Sequence, residues 1–241
     1  DGTFSGFLSA CSAAHCNQER TPVFTNLTLQ ANSLFYDQSR KLYVENEEAS
    51  KRFLSRYNRS LYALLLYAFL SELPKIESSL YSVIIRIKTE GPEVIHDYSD
   101  SNISTVRKAY QRTAMEKHRF YGILRFEKAG HMRYFSIIQP DTNVLPLLGK
   151  HLRSRDAGLD WVIFDANRKS MLIHEKGDLC FQRNVSPASV ENNSAGNGDV
   201  AELWKVFYQN IGIAERKNTK LRQQFMPKKY WHLITEMDTD R

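Results

Sequence analysis

The sequence predicts an α+β fold with a helical N-terminal half, an antiparallel sheet in strand–strand–helix–strand–strand order, and C-terminal helices packed on that sheet. Three observations predict it. Apolar residues recur at three- and four-residue intervals through the first half, the period of an amphipathic helix. From Ile123 onward the pattern turns to short alternating runs broken by turn residues, the period of strands. Near the end, Asp199-Val-Ala-Glu202 has the form of a capping box and Pro227 that of a first helical residue, two helix-start signals. The expected organisation is a helical part (1–118), a sheet part (119–185), a mobile loop (186–200) and basic–aromatic helices (201–241), forming one compact unit.

The elements follow in order. Asp1-Gly-Thr-Phe, with no initiator Met, reads as the middle of a turn with native residues expected before it, and Thr3-Phe-Ser-Gly-Phe-Leu opens a short helix. Residues Thr25 to Tyr43 read as loop with brief extended pieces. Ala49, Phe53, Leu54, Tyr57, Leu61, Leu64 and Leu65 then predict one long helix from about Glu47 to Pro74. Ile76 to Lys88 continues as helix until Gly91-Pro92 stops it. Ser104 is the expected N-cap of a helix ending at His118. Ile123 to Glu127 and Met132 to Ile138 alternate around Lys128-Ala-Gly-His131, a hairpin signature. Pro140-Asp-Thr is expected to cap a helix from Asn143 to Arg153, with Pro146 tolerated in its first turn. Strands are expected at Trp161–Asp165, Ser170–His174 and Asp178–Gln182. Ser186 to Gly198 is a polar insertion, and Tyr230, Trp231, Leu233, Ile234 and Met237 are the packing residues of a terminal helix.

Composition narrows the class. Hydrophobic residues make up 42% and charged residues 25% of the chain, ordinary for a globular protein and incompatible with disorder throughout. The longest apolar run, Leu61 to Leu70, is half of what a bilayer span requires, and no signal-peptide pattern is visible, so a cytoplasmic location is expected. Cys11, Cys16 and Cys180 form no CxxC pair, which disfavours a disulfide framework, a closed zinc site or a self-supplied iron–sulfur cluster. No Walker A loop, GxGxxG, GxSxG or zinc-deaminase pattern is present, and no motif asks for a cofactor or a metal.

The net charge is +6, and its placement carries more information than its size. Between Thr105 and Arg133 eight basic residues (Arg107, Lys108, Arg112, Lys117, Arg119, Arg125, Lys128, Arg133) stand against Glu116 and Glu127. Between Ala214 and Leu233 six (Arg216, Lys217, Lys220, Arg222, Lys228, Lys229) stand against Glu215 alone. Either segment by itself is compatible with a solvated helix face. Two of them interleaved with aromatics favour a polyanionic partner bound through phosphate contacts and stacking.

Four constellations could carry chemistry. Glu116 and His118 could act as acid and base, but residues two apart share a helical face only if the helix ends there; otherwise Glu116 pairs with Arg112 or Arg119 and His118 caps the helix. In Pro140-Asp141 through His151, Asp141 reads as a cap or turn acceptor and His151 as a hydrogen-bonded core residue at the border of an apolar stripe. Asp165-Ala-Asn-Arg168 is an inter-strand turn whose Arg168, with Arg125, could face a phosphate. In the C-terminal block Arg216, Asn218, Arg222, Lys228 and Lys229 are the candidate nucleic-acid contacts, together with Arg119. Its aromatics read mainly as core.

Taken together, Asp1-Gly-Thr-Phe-Ser-Gly-Phe-Leu, Glu116-x-His118-Arg119-x-x-Gly122-x-Leu124-Arg125-Phe126 and Pro140-Asp-x-Asn-Val-Leu-Pro-x-Leu-x-x-His151 resemble a bacterial domain-of-unknown-function family. Asp165-x-x-Arg168 and Ile211-x-Ile213-x-Glu215-Arg216-x-Asn218…Phe225-Met-Pro-x-x-Tyr230-Trp231 complete the likeness. The family is described as one of DNA metabolism, is encoded beside a DNA-repair radical-SAM protein, and is fused in some chains to a uracil-DNA-glycosylase-like domain. The resemblance implies a DNA-repair accessory protein whose partners are DNA and one of those enzymes. It brings no catalytic residues. Two other readings stand beside it: an enzyme acting on a nucleotide or damaged base through Glu116, His118, Asp141 and His151, and a structural or assembly subunit.

Overall fold

A computed structural model describes residues 3–17, 22, 52–53, 55–129, 133–185 and 227–233. The chain divides into two compact units, Asp1–Ala114 and Met115–Arg241, and no helix of the described residues is long and apolar enough to cross a membrane.

The first unit is helical, as the apolar period predicts. Helix α1 (Phe4–Cys16) starts where Thr3 accepts the Gly6 N–H at 3.0 Å, which satisfies one of the unpaired N–H groups of a first turn. It buries Phe4, Phe7, Leu8, Cys11 and Ala14. The predicted single helix from Glu47 to Pro74 is interrupted. Residues 52–53 and 55–56 are helical, Asn58 is extended, and its side chain accepts the Leu61 N–H at 2.8 Å to open α2 (Arg59–Phe69). Asn competes with the helix for backbone hydrogen bonds, so a cap interrupts an apolar pattern that itself runs on. Helix α3 (Ile76–Glu90) ends at Gly91, whose φ of 100° suits a residue without a Cβ. A 3-10 turn at Pro92–His96 follows.

Helix α4 (Ser101–Ile123) is longer than predicted at both ends. Its N-terminus is capped by Asp100, which accepts the Asn102 and Ile103 N–H groups at 2.7 and 3.1 Å, rather than by Ser104. The same Asp100 shares the Arg86 guanidinium with Glu90 and Asp97, at 2.8, 2.8 and 3.0 Å. That cluster ties the end of α3 to the start of α4. Its carboxyls lie below their ordinary range: Asp100 through the Ile103 N–H first and Arg86 next, Asp97 through Ser99 first and Arg86 next, and Glu90 chiefly through Arg86.

The second unit is built on a five-stranded sheet in the order β1 (Glu127–Ala129), β2 (Arg133–Ile138), β3 (Asp160–Asp165), β4 (Ser170–Glu175), β5 (Asp178–Gln182). The β1–β2, β3–β4 and β4–β5 pairs are antiparallel, but β2 and β3 run parallel, in register from Arg133 with Asp160 to Ile138 with Asp165. The all-antiparallel expectation is therefore corrected to a mixed sheet, with two strands before the helix and three after it. The cause is α5 (Leu145–Arg155), a crossover that carries the chain back to the starting edge before β3 begins. Residue alternation reports which face a side chain takes, not which way the neighbour runs. The first strand, expected at Ile123–Glu127, begins instead at Glu127, since α4 continues to Ile123 and residues 124–126 are irregular.

One sheet face carries Ile138, Trp161, Ile163 and Leu172, covered by Leu145, Leu148 and Leu152 of α5 and by Phe120 and Ile123 of α4. Gly149 lets α5 come close, since a Cβ there would meet Leu172 and Leu179 methyl groups at 3.2 Å. Phe135, Phe164 and Met171 form a separate cluster. The expected terminal helix from Pro227 is, in its described part, a 3-10 helix (Lys228–Leu233) whose Tyr230 is buried against Phe120. The loop expectations for Thr25–Tyr43 and Ser186–Gly198, and the helix through Trp204, lie outside the described residues.

The Arg86 cluster gives a pH prediction with a definite sign. Because its carboxyls titrate below their unfolded values, the stabilisation is present at neutral pH and is lost as pH falls through the folded-state pKa values. Arg86→Met should lower Tm at pH 7, and the gap to wild type should close in acid, as read by thermal unfolding across pH.

Candidate functional site

The carboxyl ends of β2 and β3 lie side by side, and each runs into a loop that the sequence marks. β2 is followed by Pro140-Asp141-Thr142 and β3 by Asp165-Ala-Asn-Arg168. Such ends are where sheets with parallel strands commonly place their functional loops.

Glu116 is the centre of this region. It stands on the buried line of α4 formed by Thr113, Glu116, Phe120 and Ile123 and is 3% exposed. Its Oε1 accepts the Asp141 N–H at 2.8 Å and the Tyr230 hydroxyl. Its Oε2 accepts the Thr142 N–H at 2.8 Å and the Thr142 hydroxyl at 2.6 Å. Four donors on one buried carboxylate satisfy both oxygens, the condition under which burial of such a group is tolerated. Burial first, and then the bond to Glu116, push the Tyr230 phenol well above its ordinary range, so it stays protonated as a donor.

The outer side of the Pro140–Thr142 strap is held from β3. Arg168 donates to the Pro140 carbonyl at 3.0 Å, the Asp141 carbonyl at 2.9 Å and the Asp165 carboxylate at 3.2 Å. Asn167 adds a bond to the Pro140 carbonyl at 2.9 Å. Asp165, fully buried, accepts the Asn167 and Arg168 N–H groups at 3.0 and 3.2 Å, the predicted Asx-type turn. Burial raises the Asp165 carboxyl above its ordinary value, while the Arg168 charge and the N–H bonds oppose the rise. From the C-terminal turn, Lys229 forms an ion pair with the Asp141 side chain. Residues far apart in the chain thus meet on one three-residue strap.

The structure sorts the candidate residues. Glu116 and Asp141 come together, but through the Asp141 backbone N–H. Because α4 continues to Ile123, Glu116 faces the core while His118, two residues on, is exposed; the condition for a shared acid–base face is not met. Neither Arg112 nor Arg119 supplies the bonds just described on Glu116. His151 is exposed rather than in the core, and stacks on Tyr121 with ring centroids 3.9 Å apart. Arg119 is half-buried, with its charge felt at Tyr230. Arg125 turns back to the Gly122 and Leu124 carbonyls at the end of α4, at 2.7 and 3.3 Å. Lys228 is exposed and lies 6.0 Å over the half-buried Trp231 ring. Arg216, Asn218 and Arg222 lie outside the described residues. Among the described residues no group of three or more His, Cys, Asp or Glu side chains is placed to hold a metal ion.

The sequence places Thr142 in a helix-capping segment, Asn167 in a turn and Tyr230 mainly in the core, and points to none of them as a partner of Glu116. One signal was available for their partner: Glu116 occupies a core position of the α4 period, and a carboxylate there requires several donors.

A family model described as "Domain of unknown function (DUF4130)" matches residues 74–236. The chain belongs to that family. The match covers about two thirds of the chain and includes every residue of the Glu116 junction. No curated protein and no solved structure matches the chain.

The junction predicts an order of mutational costs. Glu116→Gln puts an NH2 against donors that need an acceptor, and should lower the unfolding free energy by about 3 kcal/mol. Tyr230→Phe removes one donor and should cost about 1–2 kcal/mol. Urea unfolding of both variants measures the order, and a Gln variant as stable as wild type would refute the junction.

Proposed function

We propose that the chain is a DNA-metabolism accessory protein of the cytoplasm, binding nucleic acid and working beside a radical-SAM or glycosylase-like repair enzyme. The observation that carries the reading is the C-terminal turn. Lys228 is exposed over the face of Trp231, and the adjoining Lys229 and Tyr230 are anchored to the strap. A cation beside an aromatic face, on a rigid support, is the pairing that binds a phosphate and a base together. The basic surplus from Ala214 to Leu233 and the resemblance noted above support the same reading. Arg168 enters it as a positioning residue, since its guanidinium holds the strap, and Arg125 likewise serves the end of α4.

The reading as an enzyme acting on a nucleotide or base is less favoured by this arrangement. Both Glu116 oxygens are filled by protein donors, and His118 and His151 are exposed on α4 and α5 rather than gathered around it.

The test is a salt titration of binding to short DNA. Lys228→Ala should weaken affinity and reduce the slope of log K against log salt by about 1. Unchanged affinity and slope would sink the reading. If the chain instead pulls down its partner enzyme equally before and after nuclease treatment and binds no DNA, the assembly-subunit alternative replaces it.

A further inference from the structure

A second surface of the same unit, which includes His151 of the Pro140–His151 motif, matches one class of partner. On α4, Lys117 and Tyr121 are one turn apart, and the Lys117 ammonium lies 5.3 Å over the Tyr121 ring. On α5, His151 and Arg155 are also one turn apart. The His151 imidazole stacks on Tyr121 at 3.9 Å and 29°, and the Arg155 guanidinium donates to the Tyr121 carbonyl at 3.2 Å. The two short rows therefore lie side by side as cation, phenol, imidazole and guanidinium.

Three features separate this row from an ordinary solvated helix face. The imidazole is exposed although it is stacked on the Tyr121 ring. Helix α5 carries Lys150, Arg153 and Arg155 and no acid between Leu145 and Arg155, and Lys150 and Arg153 are exposed beside His151. Compensation of the α5 dipole would account for basic residues in its last turn, but not for a stacked aromatic pair with a third side chain, Lys117, over the Tyr121 ring. The geometry points to a stacking platform for an unpaired nucleobase, with the exposed Lys150 and Arg153 beside it for the flanking phosphates. The occupant is single-stranded nucleic acid, because a base held within a duplex has no face to offer.

This inference rests on the nucleic-acid reading and deepens it. The full chain is titrated by fluorescence anisotropy against a labelled short oligothymidylate and against a duplex of the same length, at several salt concentrations. His151→Ala removes an exposed side chain and leaves the core untouched; Tyr121→Leu keeps the half-buried volume, with thermal unfolding as the check on folding. Each should weaken single-strand binding about tenfold, with the salt slope unchanged and duplex binding little altered. Lys150→Gln with Arg153→Gln should lower the slope by about 2. Single-strand affinity unchanged by His151→Ala and Tyr121→Leu overturns the platform. If Lys228→Ala weakens binding in that case, the proposed function survives without it. If the wild-type chain binds neither DNA, both fall.

Discussion

A single buried carboxylate organises the second unit. Glu116 is placed in the core by the period of α4, and a carboxylate left bare there would be strongly destabilising. Two backbone N–H groups and two hydroxyls satisfy it, and three of those four donors belong to Asp141 and Thr142. The strap after β2 is thereby fixed against α4, and Tyr230 brings the C-terminal turn to the same point. Arg168 and Asn167 complete the clasp from β3 by taking up the strap's carbonyls. The Asp141 and Thr142 N–H groups are bonded to Glu116 and the Pro140 and Asp141 carbonyls to Asn167 and Arg168 of the turn after β3, while the Thr142 carbonyl accepts the Val144 N–H.

That arrangement explains why the motifs are so widely spaced. Glu116 meets residues 25, 26 and 114 positions away, so no local spacing reveals the contact. It also redistributes the roles of the basic residues. Arg168 and Arg125 serve carbonyl groups and Lys229 serves Asp141, whereas Lys228, Lys150 and Arg153 are exposed. An acid–base reading of Glu116 competes with this, because a group saturated by protein donors has no lone pair free for a substrate.

Much of the fold was legible in the sequence where a local rule decides it. The stop at Gly91-Pro92, the strands at 160–165, 170–175 and 178–182, and the tolerated Pro146 all follow from backbone chemistry over a few residues. The failures have a common origin. Asn58 breaks a helix whose apolar period runs straight through it, and Asp100 rather than Ser104 caps α4 because it is also engaged by Arg86. The parallel β2–β3 pairing depends on where α5 delivers the chain, which alternation cannot report. His151 looked like a core residue from its distance to Leu147 and Leu148, yet it lies on the outer side of the stripe, on Tyr121 of another helix. The Glu116 junction was half legible: the core position of the carboxylate is written in the helix period, and the identities of its donors are not.

Glu116 is expected to hold the Pro140–Thr142 strap as firmly as the sheet itself, which native-state hydrogen exchange at the Asp141 and Thr142 amides measures. Both amides should then exchange only through openings about as costly as those that expose the β3 amides of Val162 and Ile163. Exchange at the rate of an exposed loop, with β3 still protected, would contradict it.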